Sequence, residues 1–99
     1  MSDEIPYTAL CANTSEAIGA VPLNRCVGVT HRGTVIATLW RPVMRAHIPD
    51  GLDVVQIAEM RAGRDERAEL LRGGGRFVIA SHGRRIAVVE GVSPSVGVR

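Results

Sequence analysis

All twelve basic residues of this 99-residue chain are arginines; there is no lysine. An arginine carries five N–H donors in a planar fork that matches phosphate, carboxylate and the guanine edge. The chemistry on offer is therefore recognition of anions. The base composition of the gene is a simpler source of the same bias. Position singles out five arginines. Arg61 is predicted at a helix start, where backbone donors also attract phosphate. Arg64, with Arg67, extends a basic strip along that helix, interrupted by Glu66 and Glu69. Arg32 falls at the tip of one predicted hairpin, and Arg84 and Arg85 at the tip of another. A tip arginine can enter a groove or hold a backbone phosphate. Each position also suits a solvated side chain, and Arg61 is spaced to pair with Asp65.

The charge balance is modest. Formal net charge is +2. Residues 1–49 hold four arginines against three acids, and residues 50–99 hold eight against seven. There is no basic tail, so nucleic-acid binding requires the arginines to be gathered on one face by the fold.

Other reactive side chains are sparse. His31, His47 and His82 lie far apart, without a nearby acid or nucleophile, and Cys11 and Cys26 have no metal-ligand spacing. Neither an enzyme nor a cofactor or metal site is expected. Two buried free thiols in a reducing cytoplasm are a simpler account than a disulfide. The Gly73–Gly75 run lacks the Lys-Ser/Thr of a P-loop. The acidic start, Met-Ser-Asp-Glu, is no signal peptide, and no apolar run approaches membrane-spanning length. A cytoplasmic location is expected. Trp40, at a strand end, is either a partly buried edge residue or an anchor for a partner.

The elements that position these groups follow from pattern. Aromatics are limited to Tyr7, Trp40 and Phe77, so valine and isoleucine must fill the core, which favours sheet. Ninety-nine residues make one domain that buries only about 60–65% of its unfolded surface, so a partner or second copy would help the core. Ile5–Thr8 reads as an extended edge. Asn13 with Glu16 reads as a capping box opening a short helix through Val21, ended by Pro22. A hairpin spans about residues 25–40. Val43–His47 is one helical turn or a linker. Ile48-Pro49-Asp50-Gly51 marks the boundary between halves. Leu52–Ile57 reads as a strand, and a helix begins at Ala58, bends at Gly63 and stops at Gly73. A second hairpin runs from Gly75 to Glu90, and residues 93–99 form a short tail.

The two hairpins align without a gap. With Gly33 on Gly83, Ile36 falls on Ile86, Ala37 on Ala87 and Leu39 on Val89, at an offset of 50 residues. Three of thirteen positions are identical from 27 to 39. The reading is either chance likeness of two hairpins or an internal duplication forming a pseudo-dimer.

Residues 52–92 resemble the Phd/YefM antitoxins of bacterial toxin–antitoxin pairs. Val55-Gln56-Ile57-Ala58-Glu59-Met60-Arg61 is similar to the family's strand and helix start. Glu69-Leu70-Leu71 is similar to its second helix, and Gly75–Ile79 to its strand entry. His82-Gly83-Arg84-Arg85-Ile86-Ala87-Val88-Val89 is similar to its turn and last strand. Residues 25–42 resemble the hairpin more weakly. The resemblance implies an α+β module, short helices packed on a small sheet of hairpins, that dimerises or forms higher oligomers. It also implies a transcriptional autorepressor that binds operator DNA, with a cognate toxin as partner. Carried over, Arg61 is the leading DNA contact, with Arg64, Arg84, Arg85 and Arg32 beside it. The family's arginine is missing at Ser81, and Cys11 stands at the first-half position matching Arg61. No tail long enough to wrap a toxin follows residue 92. The alternative is a protein-interaction module that neutralises a toxin or joins a larger assembly without touching DNA.

Overall fold

The computed structural model describes residues 4–43, 48 and 51–92. The expectations for 44–47, for Pro49 and Asp50 and for the tail 93–99 lie outside them. The chain runs β1 (Glu4–Pro6), α1 (Tyr7–Ala12), α2 (Thr14–Gly19), β2 (Arg25–His31) and β3 (Thr34–Arg41). It continues through β4 (Asp53–Gln56), a 3-10 turn (Ile57–Glu59), α3 (Arg64–Arg72), β5 (Arg76–Ser81) and β6 (Arg84–Gly91). The strands form one mixed six-stranded sheet in the order β1-β2-β3-β6-β5-β4. The outer pairs β1·β2 and β4·β5 are parallel, and the others are antiparallel.

Alternation along the four long strands makes the main core. Val27 and Val29, Ala37 and Leu39, Phe77 and Ile79, and Ala87 and Val89 all point to one face. Tyr7, Leu10, Ile18, Met60, Ala68 and Leu71 from the helical layer close over them. Each fully buried side chain of this size contributes about 1.5–3 kcal/mol. On the opposite face Trp40, Val78 and Val88 pack with Ile48 and Leu52.

Both hairpins end in the same turn. Arg32 and Gly33 have φ of 55° and 80°, and His82 and Gly83 have 52° and 80°. Positive φ at both central residues is the type I′ turn, whose twist matches that of the flanking strands. Glycine adopts the second position freely. Arginine at the first is strained, because its Cβ crowds the backbone there.

The pairing register repeats 50 residues on. Glu4 pairs with Gly28 as Val54 pairs with Val78, and Pro6 with Thr30 as Gln56 with Ala80. Each hairpin carries a bulge at the same place, between Val29 and Thr30 and between Ile79 and Ala80. The halves join where β3 meets β6, with Leu39 opposite Val89, so the central pair is itself 50 residues apart.

Three local expectations are corrected. The extended reading of Ile5–Thr8 holds only to Pro6; Tyr7 opens a helix that buries Tyr7, Leu10 and Cys11, the i, i+3, i+4 face. Asn13 precedes α2, but its side chain makes no cap. Its backbone N–H is already bonded to Ala9 O at 2.9 Å, so it has no donor for Glu16 to accept. The capping box forms instead at Gln56, whose N–H donates to Glu59 Oε1 at 2.9 Å. Lastly, α2 stops at Gly19, before Val21.

Candidate nucleic-acid interface and an arginine-lined cleft

The corner before α3 holds Arg61 and Arg64. Gly63, at φ 68°, breaks the helical path, so Arg61 lies three residues ahead of α3 rather than at its start. That break also removes the helical spacing to Asp65. Arg61 Nη2 donates to Ala12 O at 3.1 Å, across to the corresponding corner of the first half. The Tyr7 hydroxyl crosses the same seam and donates to Arg64 O at 2.7 Å. The Arg64 side chain is exposed. Arg67 does not extend a basic strip. It turns back onto the carbonyls of Glu59, Met60 and Ala62, closing the corner.

The tip arginines separate to opposite ends of the sheet. Because β3 and β6 are antiparallel about Leu39 and Val89, the Arg32 tip lies at one end and Arg84 and Arg85 at the other. Counting ten residues between Thr34 and Arg84 along the strand direction gives about 33 Å. Arg32 and Arg84 are exposed and Arg85 is partly buried. The five candidates thus form three groups, not one patch. Trp40 is half-buried against the Ile48, Val78 and Val88 cluster.

Arg41, the last residue of β3, is central. Its Nη1 donates to Val21 O at 2.8 Å and to Ile18 O at 3.4 Å, adding a charged donor just past the end of α2, where Ile18 O also accepts the Val21 N–H at 3.0 Å. It also forms a wall shared by two adjoining clefts of about 430 and 450 Å³. Arg84 and Ile86 line both; Arg85 lines the first, and Ser15, Ser81 and His82 the second. One signal could have found Arg41: at the 50-residue offset it falls on Gly91, one of several changes of residue type in the strand pair.

At the other end the cleft-lining guanidinium is already engaged. Arg72 Nη2 lies against His31 Nδ1, and the His31 ring meets Tyr7 edge-on with centroids 5.5 Å apart. Loss of hydration lowers the His31 pKa, and the charges of Arg72 and Arg32 push it the same way. A neutral ring keeps Nδ1 as an acceptor for Arg72. Burial raises the pKa of both Tyr7 and Cys11 above their ordinary values. Neither is set up as a base or nucleophile.

Among the described residues no group of three or more histidine, cysteine or carboxylate side chains could hold a metal ion. None of their helices is long and apolar enough to cross a membrane. The chain matches no protein-family model, no curated protein and no solved structure. The fold itself defines a small α+β domain with helices packed on a mixed six-stranded sheet.

Proposed function

We propose that this protein is a DNA-binding transcriptional regulator of the antitoxin type, an autorepressor built as a duplicated pseudo-dimer within one chain. The observation that carries the reading is the register repeat, which puts two equivalent hairpin tips at opposite ends of one sheet. Their separation of about 33 Å is close to one turn of B-DNA, the spacing at which a two-fold reader meets successive grooves. Arg32 at one tip and Arg84 and Arg85 at the other supply phosphate and base-edge donors, with Arg61 and Arg64 at the seam between halves. The strained φ of Arg32 supports a role for that side chain, since such strain gathers at functional positions. A cognate toxin and a cytoplasmic site of action belong to the same proposal, on the strength of the family resemblance.

The test is titration of the purified chain against duplex DNA from upstream of its own gene, beside a scrambled duplex, at two salt concentrations. Tighter binding to the native duplex is expected. Arg84→Ala and Arg32→Ala should each lower the slope of log affinity against log salt by about 0.9. Equal weak binding to both duplexes, unchanged by either substitution, sinks the DNA reading.

A second reading is favoured by where the guanidiniums go. Arg41, Arg61 and Arg67 bond backbone carbonyls and Arg72 bonds His31, which occupies part of each guanidinium's donor fork. Among the described residues the terminal strands β1 and β4 each leave one edge unpaired, the surface used by proteins that capture an extended segment. On this reading the chain is a protein-interaction module, neutralising a toxin or joining an assembly, with Trp40 as an anchor. Pull-down of a defined partner by a chain that ignores DNA would distinguish it.

A further inference from the structure

We propose that the operator is not a palindrome: the two hairpin tips, alike in backbone, read two different half-sites, so the chain binds in one fixed orientation. The inference rests on the DNA reading and names the kind of operator that reading requires. Both tips are the same type I′ turn, with φ of 55° and 80° at Arg32 and Gly33 and of 52° and 80° at His82 and Gly83. Each hairpin also carries its bulge at the same place. A homodimer would repeat its side chains there as well and meet a two-fold site. Here one chain supplies both tips, and their side chains differ. The exposed residues around the glycine are Arg32 and Thr34 at the first tip and His82 and Arg84 at the second. The guanidinium thus precedes the glycine in one half and follows it in the other. Arg85 is partly buried and has an interaction of its own, so Arg84 is the second tip's exposed guanidinium.

Residues of one turn lie within about 7 Å of each other, up to two base-pair steps of about 3.4 Å. Arginine takes guanine through its O6 and N7 edge, so the preferred guanine moves by one or two positions between the half-sites. The other exposed residue differs in kind: Thr34 offers a hydroxyl and a methyl group, His82 a ring nitrogen. The supports of the tips differ too. His31, before the first tip, lies against Arg72 and meets Tyr7 edge-on. At the 50-residue offset those three places hold Ser81, Pro22 and Ile57, which cannot repeat the contact. The second tip is held instead by its backbone, where the Gly83 N–H donates to Gln56 Oε1 at 3.3 Å.

Selection by the purified full chain from a pool of randomised duplexes tests this. The expected product is a bipartite motif with half-site centres about ten base pairs apart, neither half being the inverted copy of the other. A palindrome built from either half-site leaves one tip mismatched, and each should bind at least about fivefold more weakly than the selected duplex. The double variant Arg32→His with Thr34→Arg gives both tips the order His-Gly-Arg, and His82 already adopts the φ this requires. It should reverse the ranking, preferring the palindrome of the second half-site by at least about fivefold. The wild-type comparison stands without the variant. A palindromic motif, equal affinity for the selected duplex and both palindromes, or an unchanged ranking in the folded double variant overturns the proposal and leaves DNA binding intact. No enrichment over the input pool removes it together with the DNA reading.

Discussion

Residues 41 and 91 occupy matching places in the two hairpins and meet matching carbonyls in opposite ways. In the first half the Arg41 side chain reaches back to cap Val21 O. In the second half there is no side chain. A Cβ on Gly91 would lie 2.1 Å from Leu71 O and 2.8 Å from Gly75 O. Val21 and Leu71 are themselves 50 residues apart. The difference follows from the helices. The first half ends its helix at Gly19 and leaves a gap that a guanidinium spans, whereas α3 continues to Arg72 and brings its backbone directly onto β6. One scaffold thus yields one end lined by Arg41 and Arg84 and another where Arg72 is bonded to His31.

Two substitutions probe that contrast. Gly91→Ala should cost about 3 kcal/mol, because backbone on two sides must move to admit one methyl. A loss under about 1 kcal/mol in urea denaturation would show that the close packing of α3 on β6 is not required. Arg41→Ala should cost about 2 kcal/mol by leaving the Val21 carbonyl without its charged donor. If Arg41→Ala proves neutral, water caps α2 equally well and the two halves differ less than the geometry implies.

The turns offer a finer comparison. Arg32→Asn should stabilise the fold by about 0.5 kcal/mol, since asparagine tolerates the left-handed region better than arginine. His82→Asn should gain less, histidine being already tolerant there. Equal gains would indicate that both tips carry the same strain. The smallest expected effect is in the pH profile. His31 has a depressed pKa in the fold, and position 81 carries a serine that does not titrate. The folded chain thus binds fewer protons than the unfolded one. The stability this contributes is full above the unfolded value of about 6.5 and is lost as pH falls from there through the depressed folded pKa. His31→Gln should flatten that segment of the curve; an unchanged slope would assign it to another group.

Much of the fold was legible because local chemistry encoded it. Gly33 and Gly83 after tip residues marked both turns, alternating valines and isoleucines marked the strands, and Gly63 marked the bend before α3. The helix α1 was also encoded, in the spacing of Tyr7, Leu10 and Cys11, but six residues without a capping side chain gave a weaker signal than Pro6. The candidate site was less legible. Sequence spacing offered Arg61 to Asp65 and Arg67 to a basic strip, whereas Arg61 bonds Ala12 O across the seam and Arg67 bonds carbonyls on the corner that Gly63 creates.

The sequence alone determined the strands, the tips and their 50-residue offset, because these depend on side-chain period and on local backbone preference. Tertiary structure decided which guanidiniums face solvent and which cap carbonyls. Arginine is long enough to satisfy either demand, and only the packing of α2 and α3 against the sheet sets which carbonyl lies within reach.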